Sequence, residues 1–349
     1  MACLSQAVGD DNGAQEFFQA AEDLRTAINK HLINPKTGLY CLNIDSSGAV
    51  HTDVTADEVF PVLFDVAPPD TATRIIGRLR ANDFMTSAGL RTVSRNSPEY
   101  EPTKLVGLKG GVWPGVTFWY AFAAARVNPE FMVEALHASY LQYLLDPLKN
   151  NTVPGQFSEW FDGESLVNRG MRLSPWEPPR LLWAAIEGLC GTKAKPGGGY
   201  TVAPTRPLNW KWTALRRLPC ADGFLTFFAT FEDQDVHIYA NMPVDTPHTL
   251  VVAGQDVTNR VRLADYRVRR AAFATEKELM ICLGTEAGAY VTAAVILSGL
   301  LEPKEQYTLR IYSSASGWVE AGTASGADLS DLAITIEDGE FRVLKMTKY

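Results

Sequence analysis

The chain has little of what builds redox, metal or polyanion sites. It holds five cysteines among 349 residues, Cys3, Cys41, Cys190, Cys220 and Cys282, odd in number and widely scattered. No CxxC spacing and no Cys/His cluster occurs, which excludes a disulfide framework or a cysteine-based zinc site and fits a reduced, cytoplasmic setting. The five histidines (His31, His51, His137, His237 and His248) fall on no metal-ligand spacing, so neither metal nor cofactor is expected. No run of Lys or Arg makes a basic patch, and the net charge of -8 argues against a nucleic-acid or anionic-membrane partner. No apolar stretch approaches a transmembrane span. The opening MACLSQAVGDDNG lacks a basic leader and a long apolar core, so it does not read as a signal peptide. It reads as the last turns of a helix stopped at Gly9, as though the chain began partway through a larger unit.

What is present is an ordinary globular composition, 46% hydrophobic and 21% charged, with length enough for two domains. The first part has helical periodicity. Phe17, Ala21, Leu24, Ile28 and Leu32 recur at three- and four-residue steps from Ala14 onward. Thr55-Ala56-Asp57 starts a helix through Leu63-Phe64, and Asp70 starts another whose buried side is Ala72, Ile75, Ile76 and Leu79. Val116 to Ala125 is apolar all round and therefore buried. Pro129 opens a helix with Phe131, Leu136, Tyr140, Leu141 and Leu144 as its apolar face. Pro178 to Leu189 forms the last helix, ending at Gly191. TKAKPGGG, Thr192 to Gly199, is a linker signature. Beyond it come β-rich runs at Phe224–Phe231, Val236–Tyr239, Thr249–Val252, Met280–Leu283, Tyr290–Ile296 and Tyr307–Tyr312, broken by turns such as Ala221-Asp222-Gly223. The expected organisation is a helical domain over 1–191 and an antiparallel β-sandwich over 192–349.

One stretch carries chemistry. QFSEWFDGESLVNRGMRLSPW, Gln156 to Trp176, sets one carboxylate, Glu159, among Phe157, Trp160 and Phe161. Rings stack on the apolar faces of pyranoses while a carboxylate handles protons; the alternative is a loop glutamate beside core aromatics. Trp113, Trp160 and Trp176 each either floor a sugar subsite or belong to the core. Arg91 and Tyr100 lie in or at the edge of the long irregular stretch from Arg91 to Lys109, and either bind sugar hydroxyls or pin that loop. Arg169 either clamps Glu159 or a substrate hydroxyl or is solvated. Asp57 and Glu58 begin a helix, where they read as capping or helix-dipole residues.

Four segments resemble the second half of an (α/α)6-barrel glycosidase, most like the mannosylglycerate hydrolase and glycoside hydrolase family 63 α-glucosidase group, with trehalases as cousins. They are the helix leading into NPKTGLY, then TADEVFPVLFDVAPPDTATRIIGRL before FMTSAGLRTVS, then GLKGGVWPGVTFWYAFAAA, and QFSEWFDG with its following SPW. The match spans about residues 1 to 190, and their order is more specific than any one of them. The resemblance implies a partial toroid of about six or seven helices, a carbohydrate substrate, and Glu159 as general base. It implies inversion at an α-glucoside or α-mannoside, with the two carboxylates about 6.5–9.5 Å apart. The family's general acid is an aspartate in the first half of the barrel, and no segment here matches its motif. A fragment of a longer enzyme, or a non-catalytic carbohydrate-binding or assembly protein derived from one, therefore stands as the alternative. Exposed inner-helix faces would call for a homodimer or an N-terminal partner fragment.

Overall fold

The computed structural model describes residues 1–195, 198–221, 223–297 and 299–349. Pro196 and Gly197 of the expected linker and Asp222 of the expected Ala221–Gly223 turn lie outside the described residues, as does the side chain of Leu141. The chain divides into two compact units, Met1–Gly191 and Thr192–Tyr349. The first is helical and the second is built of strands.

The helical unit begins with α1 (Ala2–Ala7) and α2 (Asp11–Leu32). Asp10 caps α2 by accepting from the Gly13 amide at 2.9 Å, which starts the helix ahead of the first periodic residue. The apolar stripe of α2 is only partly used. Ile28 and Leu32 pack on the core, whereas Phe17, Phe18 and Leu24 are exposed. After a 3₁₀ turn (Ala56–Glu58) come α3 (Val59–Leu63) and α4 (Pro69–Leu79). The expected buried side of α4 is found, with Ala72, Ile75, Ile76 and Leu79 all in the core.

At the centre lies α5 (Pro114–Ala125), buried on nearly every side through Phe118, Tyr120, Ala121, Ala123 and Ala124. A helix this apolar carries no single polar face, so it has neighbours all round; α3, α4, α6 (Pro129–Tyr140) and α8 (Glu177–Trp183) touch it. The buried row of α6 is Met132, Ala135 and Ser139, with Tyr140 exposed. Of the expected apolar face, Phe131 and Leu136 are partly buried and pack against the same core, whereas Tyr140 and Leu144 are exposed. The short α7 (Pro147–Asn150) precedes the aromatic loop. Beyond α8 the chain continues as a π-helical turn, Ala184–Leu189. Two short ladders, β1 (Asn43–Ile44) with β2 (Val50–His51) and β3 (Met85–Thr86) with β4 (Gly89–Leu90), complete the unit.

The second unit opens with the ladder of β5 (Thr192–Ala194) and β6 (Tyr200–Val202). A four-stranded sheet follows in the order β10 (Thr249–Val252), β9 (Asp235–Ala240), β8 (Gly223–Glu232), β7 (Trp212–Cys220). Its β9–β10 pair is parallel; the rest is antiparallel. The central sheet has six strands in the order β11 (Gln255–Asp256), β13 (Val268–Ala274), β14 (Glu278–Thr285), β19 (Phe341–Lys348), β16 (Gln306–Ser313), β17 (Gly317–Ser325). A third sheet joins β12 (Arg262–Leu263), β15 (Val291–Ile296) and β18 (Asp331–Ile336).

Strand β14 explains the layering. Side chains alternate across a sheet, and Leu279, Ile281 and Leu283 pack with Val291, Ala293, Val295, Ile334 and Ile336 of the three-stranded sheet. Met280 and Cys282 pack the other way, with Phe228 and Tyr239 of the four-stranded sheet. The six-stranded sheet is thus covered on both faces, which is why Met280 to Leu283 reads as a continuous apolar run.

Candidate active site

Backbone bridges stitch together the loops of the helical unit. Thr55 pairs with Val93, Arg91 with Val112, Val112 with Phe161, and Phe161 with Asn168. The Val112–Phe161 bridge is reciprocal, each amide donating to the other's carbonyl at 2.8 Å. Each stitched loop runs close to the start of a helix. Thr55 caps the 3₁₀ turn, Trp113 precedes Pro114 at the start of α5, and Trp176 precedes α8.

This stitching lays Trp113 and Trp160 parallel, with ring centroids 6.5 Å apart and planes 11° apart. Trp160 is nearly buried. It is lodged between Gly107 and Gly170, where a Cβ on either would run into the indole. Gly107 also has a φ of +80°, a conformation glycine adopts without cost. The buried indole Nε1 of Trp113 has no hydrogen-bond partner.

Glu159 is half-buried beside this pair. Its amide donates to the Met171 carbonyl at 2.9 Å, and the Met171 amide donates back to Glu159 Oε2 at 2.9 Å. One carboxylate oxygen is thereby oriented by the backbone, and Gly170 lets the chain pass close to it.

The other sequence-derived residues divide. Arg91 is buried and spends its guanidinium on main-chain carbonyls, Gly163 at 3.0 Å and Asn82 at 3.2 Å. It pins loops together. Tyr100 donates to Glu164 at 2.8 Å, and burial pushes its phenol up to about 12, so it stays protonated. Arg169 is half-exposed, with Nη2 3.7 Å from Asp162 rather than at Glu159. Trp176 is 42% exposed at the head of α8.

A pocket of about 390 Å³ opens in the same unit. Its walls include Trp113, Trp119, Thr55, Thr92, Asp57 and Arg180. Asp57 and Arg180 are its charged groups. Asp57 and Glu58 are the acidic residues of the first turn, as a capping or dipole role requires; Thr55 supplies the cap by accepting from the Asp57 amide, and the Asp57 carboxylate is exposed. Arg180 lies over the Trp119 ring at 4.6 Å and is held by Glu177 at 3.2 Å.

Glu177 is not singled out by the sequence. It is completely buried, its Oε2 has no partner, and that oxygen lies 2.6 Å from where a Cβ on Gly115 would stand. Burial pushes its carboxyl up to about 7, against the pull of Arg180, with Glu159 adding a smaller push in the same direction. Glu58, also buried and bonded by the Tyr40 amide at 3.3 Å, is raised by burial to about 7 as well. The one local signal for Glu177 is its place directly after SPW, facing the glycine of WPG. Among the described residues no three His, Cys, Asp or Glu side chains gather as a metal-holding group, and no helix is long and apolar enough to cross a membrane.

Comparison with known proteins bears on the same unit. Residues 1–165 match the family model of the Mannosylglycerate hydrolase MGH1-like glycoside hydrolase domain. Similar solved structures come from Thermus thermophilus. An uncharacterized conserved protein is 17% identical, with 50% of this chain and 40% of that chain covered and a TM-score of 0.40. A GH63 mannosylglycerate hydrolase in complex with glucose is 17% identical, with 50% and 41% covered and a TM-score of 0.38. The complex of that hydrolase with Tris and D-glycerate is 18% identical, with 44% and 36% covered and a TM-score of 0.36. The chain thus spans at most 41% of the length of these structures. No curated protein matches the sequence.

Proposed function

With an MGH1-like glycoside hydrolase domain matched over residues 1–165, we propose that the protein is an inverting glycoside hydrolase of the α-glucoside or α-mannoside class, or the base-bearing part of one. The observation that carries this reading is Glu159 beside the Trp113–Trp160 pair, one carboxylate oxygen oriented by the Met171 amide. In this reading Glu159 is the general base that activates water. Trp113, backed by the buried Trp160, offers the apolar face to a pyranose ring, and the pocket that it lines with Asp57 and Arg180 takes the hydroxyls. The helical unit is then part of an (α/α)6 toroid, and the β unit a sandwich with a third layer.

The second reading is a carbohydrate-binding or assembly protein without turnover. It is supported by the complete enclosure of Glu177, which leaves Asp57 as the carboxylate on the pocket wall. The exposed Phe17, Phe18 and Leu24 of α2 support assembly with a second copy or an N-terminal partner.

A panel of aryl and disaccharide α-glucosides and α-mannosides, followed by proton NMR of the released anomer, separates the readings. Inverting hydrolysis gives the β-anomer first. Release of the α-anomer first would overturn inversion, and sugar binding with no hydrolysis of any member would select the second reading.

A further inference from the structure

The β unit holds an aromatic pocket with a cationic wall. Trp212 of β7 stacks on Phe228 with centroids 5.2 Å apart and planes 8° apart. Its indole lies against Gly284 of β14, where a Cβ would collide with the ring, and its Nε1 donates to the Thr285 carbonyl at 3.0 Å. The ring is therefore fixed before any ligand arrives. Beside it opens a pocket of about 450 Å³ whose other walls are Ala214, Val268, Arg216, Arg269 and Arg270.

The three arginines differ in how they are satisfied. Arg269 is paired with Glu286 at 2.6 Å. Arg216 donates to the side-chain oxygen of Asn259 at 2.7 Å, and Arg270 donates Nε to the Thr258 carbonyl at 3.3 Å. Both acceptors are neutral. The carboxylate acting on Arg216 is Asp256, which is itself bonded by the Thr226 hydroxyl and the Thr258 amide. Arg270 feels burial first and then the like charge of Arg216, and both hold it below the usual arginine range. Arg270 is thus repelled by Arg216, while the carboxylate acting on Arg216, Asp256, is already engaged by Thr226 and Thr258, and an oxyanion between the two guanidiniums would relieve the repulsion. Guanidinium forks match carboxylate and phosphate oxygens in a paired geometry that ammonium groups do not offer.

We propose that this pocket binds a small saccharide bearing an oxyanion, its carboxylate or phosphate held by Arg216 and Arg270 and its carbon skeleton laid against Trp212, Ala214 and Val268. The volume suits a monosaccharide-sized ligand rather than a polymer. The site would hold such a ligand whether or not the helical unit performs hydrolysis.

The test is isothermal titration of the full chain at low ionic strength with glucuronate, glucose 6-phosphate, glucose and inorganic phosphate. An anionic sugar is expected to bind at least about tenfold tighter than glucose, since a charge-assisted hydrogen bond is stronger than a neutral one. Whichever of glucuronate and glucose 6-phosphate binds tighter identifies the anion. Arg216→Gln and Arg270→Gln should each weaken that binding by about tenfold, with circular dichroism and thermal melting confirming the fold. Because each variant touches a different strand, failure of one to fold leaves the other. Equal affinity for glucose, binding unchanged by both substitutions, or no binding of any probe would overturn the proposal. Phosphate binding as tightly as glucose 6-phosphate would overturn it too, by reducing the site to a bare anion patch.

Discussion

The Glu177 carboxylate meets the Arg180 guanidinium at 3.2 Å while showing no surface to solvent. One oxygen takes the arginine and the other takes nothing. Desolvation outweighs the arginine, and the carboxyl titrates near 7 instead of 4.5. The folded state then holds protons that the unfolded chain has released. Stability from this group is complete below about pH 4.5 and is lost as pH rises through about 7. A shift of that size corresponds to about 3 kcal/mol at most, and Glu58, displaced the same way, adds a second slope. Urea unfolding at pH 5, 6, 7 and 8 should show falling stability. Glu177→Gln should flatten the fall. A stability that rises over this range, in the wild type, would show that both carboxyls are ionised in the fold.

The two glycines around Trp160 give a packing prediction. Gly170→Ala puts a methyl into the indole beside Glu159 Oε2. The buried ring has no free space to retreat into, so a cost of about 1–3 kcal/mol is expected from overpacking. Gly107→Ala should cost more, because its positive φ adds backbone strain to the same clash. Denaturant midpoints check both, and an unaltered midpoint in Gly170→Ala would show that Trp160 readily swings aside.

How far the sequence carried depends on where the physical signal was local. The buried side of α4 was legible because its period of apolar residues coincides with its packing. The face of α6 was legible only in part. Phe131 and Leu136 pack against the core, but Tyr140 and Leu144 are exposed. The fully buried row is Met132, Ala135 and Ser139, two of them too small to mark a face by size. Strands β8 and β14 were legible from apolar runs; β13 and β17, which carry arginine, glutamate and glycine, were not. At the site, the aromatic flanks of Glu159 marked it in the chain. Glu177 stayed hidden because its one local mark, a place directly after SPW, does not tell a buried glutamate from an exposed one at a helix start. For Arg91 the sequence left a sugar ligand and a loop pin as equal readings, and its guanidinium bonds to carbonyls that only the fold brings together are those of a loop pin.

The two-sided burial of β14 predicts unequal costs on its two faces. Ile281 is fully buried in the cluster that faces the three-stranded sheet. Ile281→Ala should cost about 2–5 kcal/mol by transfer and cavity terms together. Cys282, one residue along, faces the other layer and has a smaller side chain, so Cys282→Ala should cost less. Thermal melts of both variants check the order, and a larger loss for Cys282→Ala would contradict the layering.

Glu159→Gln separates chemistry from structure. The amide keeps the size of the carboxylate, and its oxygen can still accept from the Met171 amide as Oε2 does now. The half-buried position leaves little desolvation to recover. Stability should therefore change by less than about 1 kcal/mol, close to the worth of a single hydrogen bond. A general base contributes about 10²–10⁴-fold to rate, so hydrolysis, where the wild type shows it, should fall by at least that factor in kcat while KM moves little. Binding of unhydrolysed sugar, followed by quenching of Trp113 and Trp160 fluorescence, should survive. A variant that unfolds, or one that hydrolyses at the wild-type rate, would each remove Glu159 from the role of base, the first by making it structural and the second by making it dispensable.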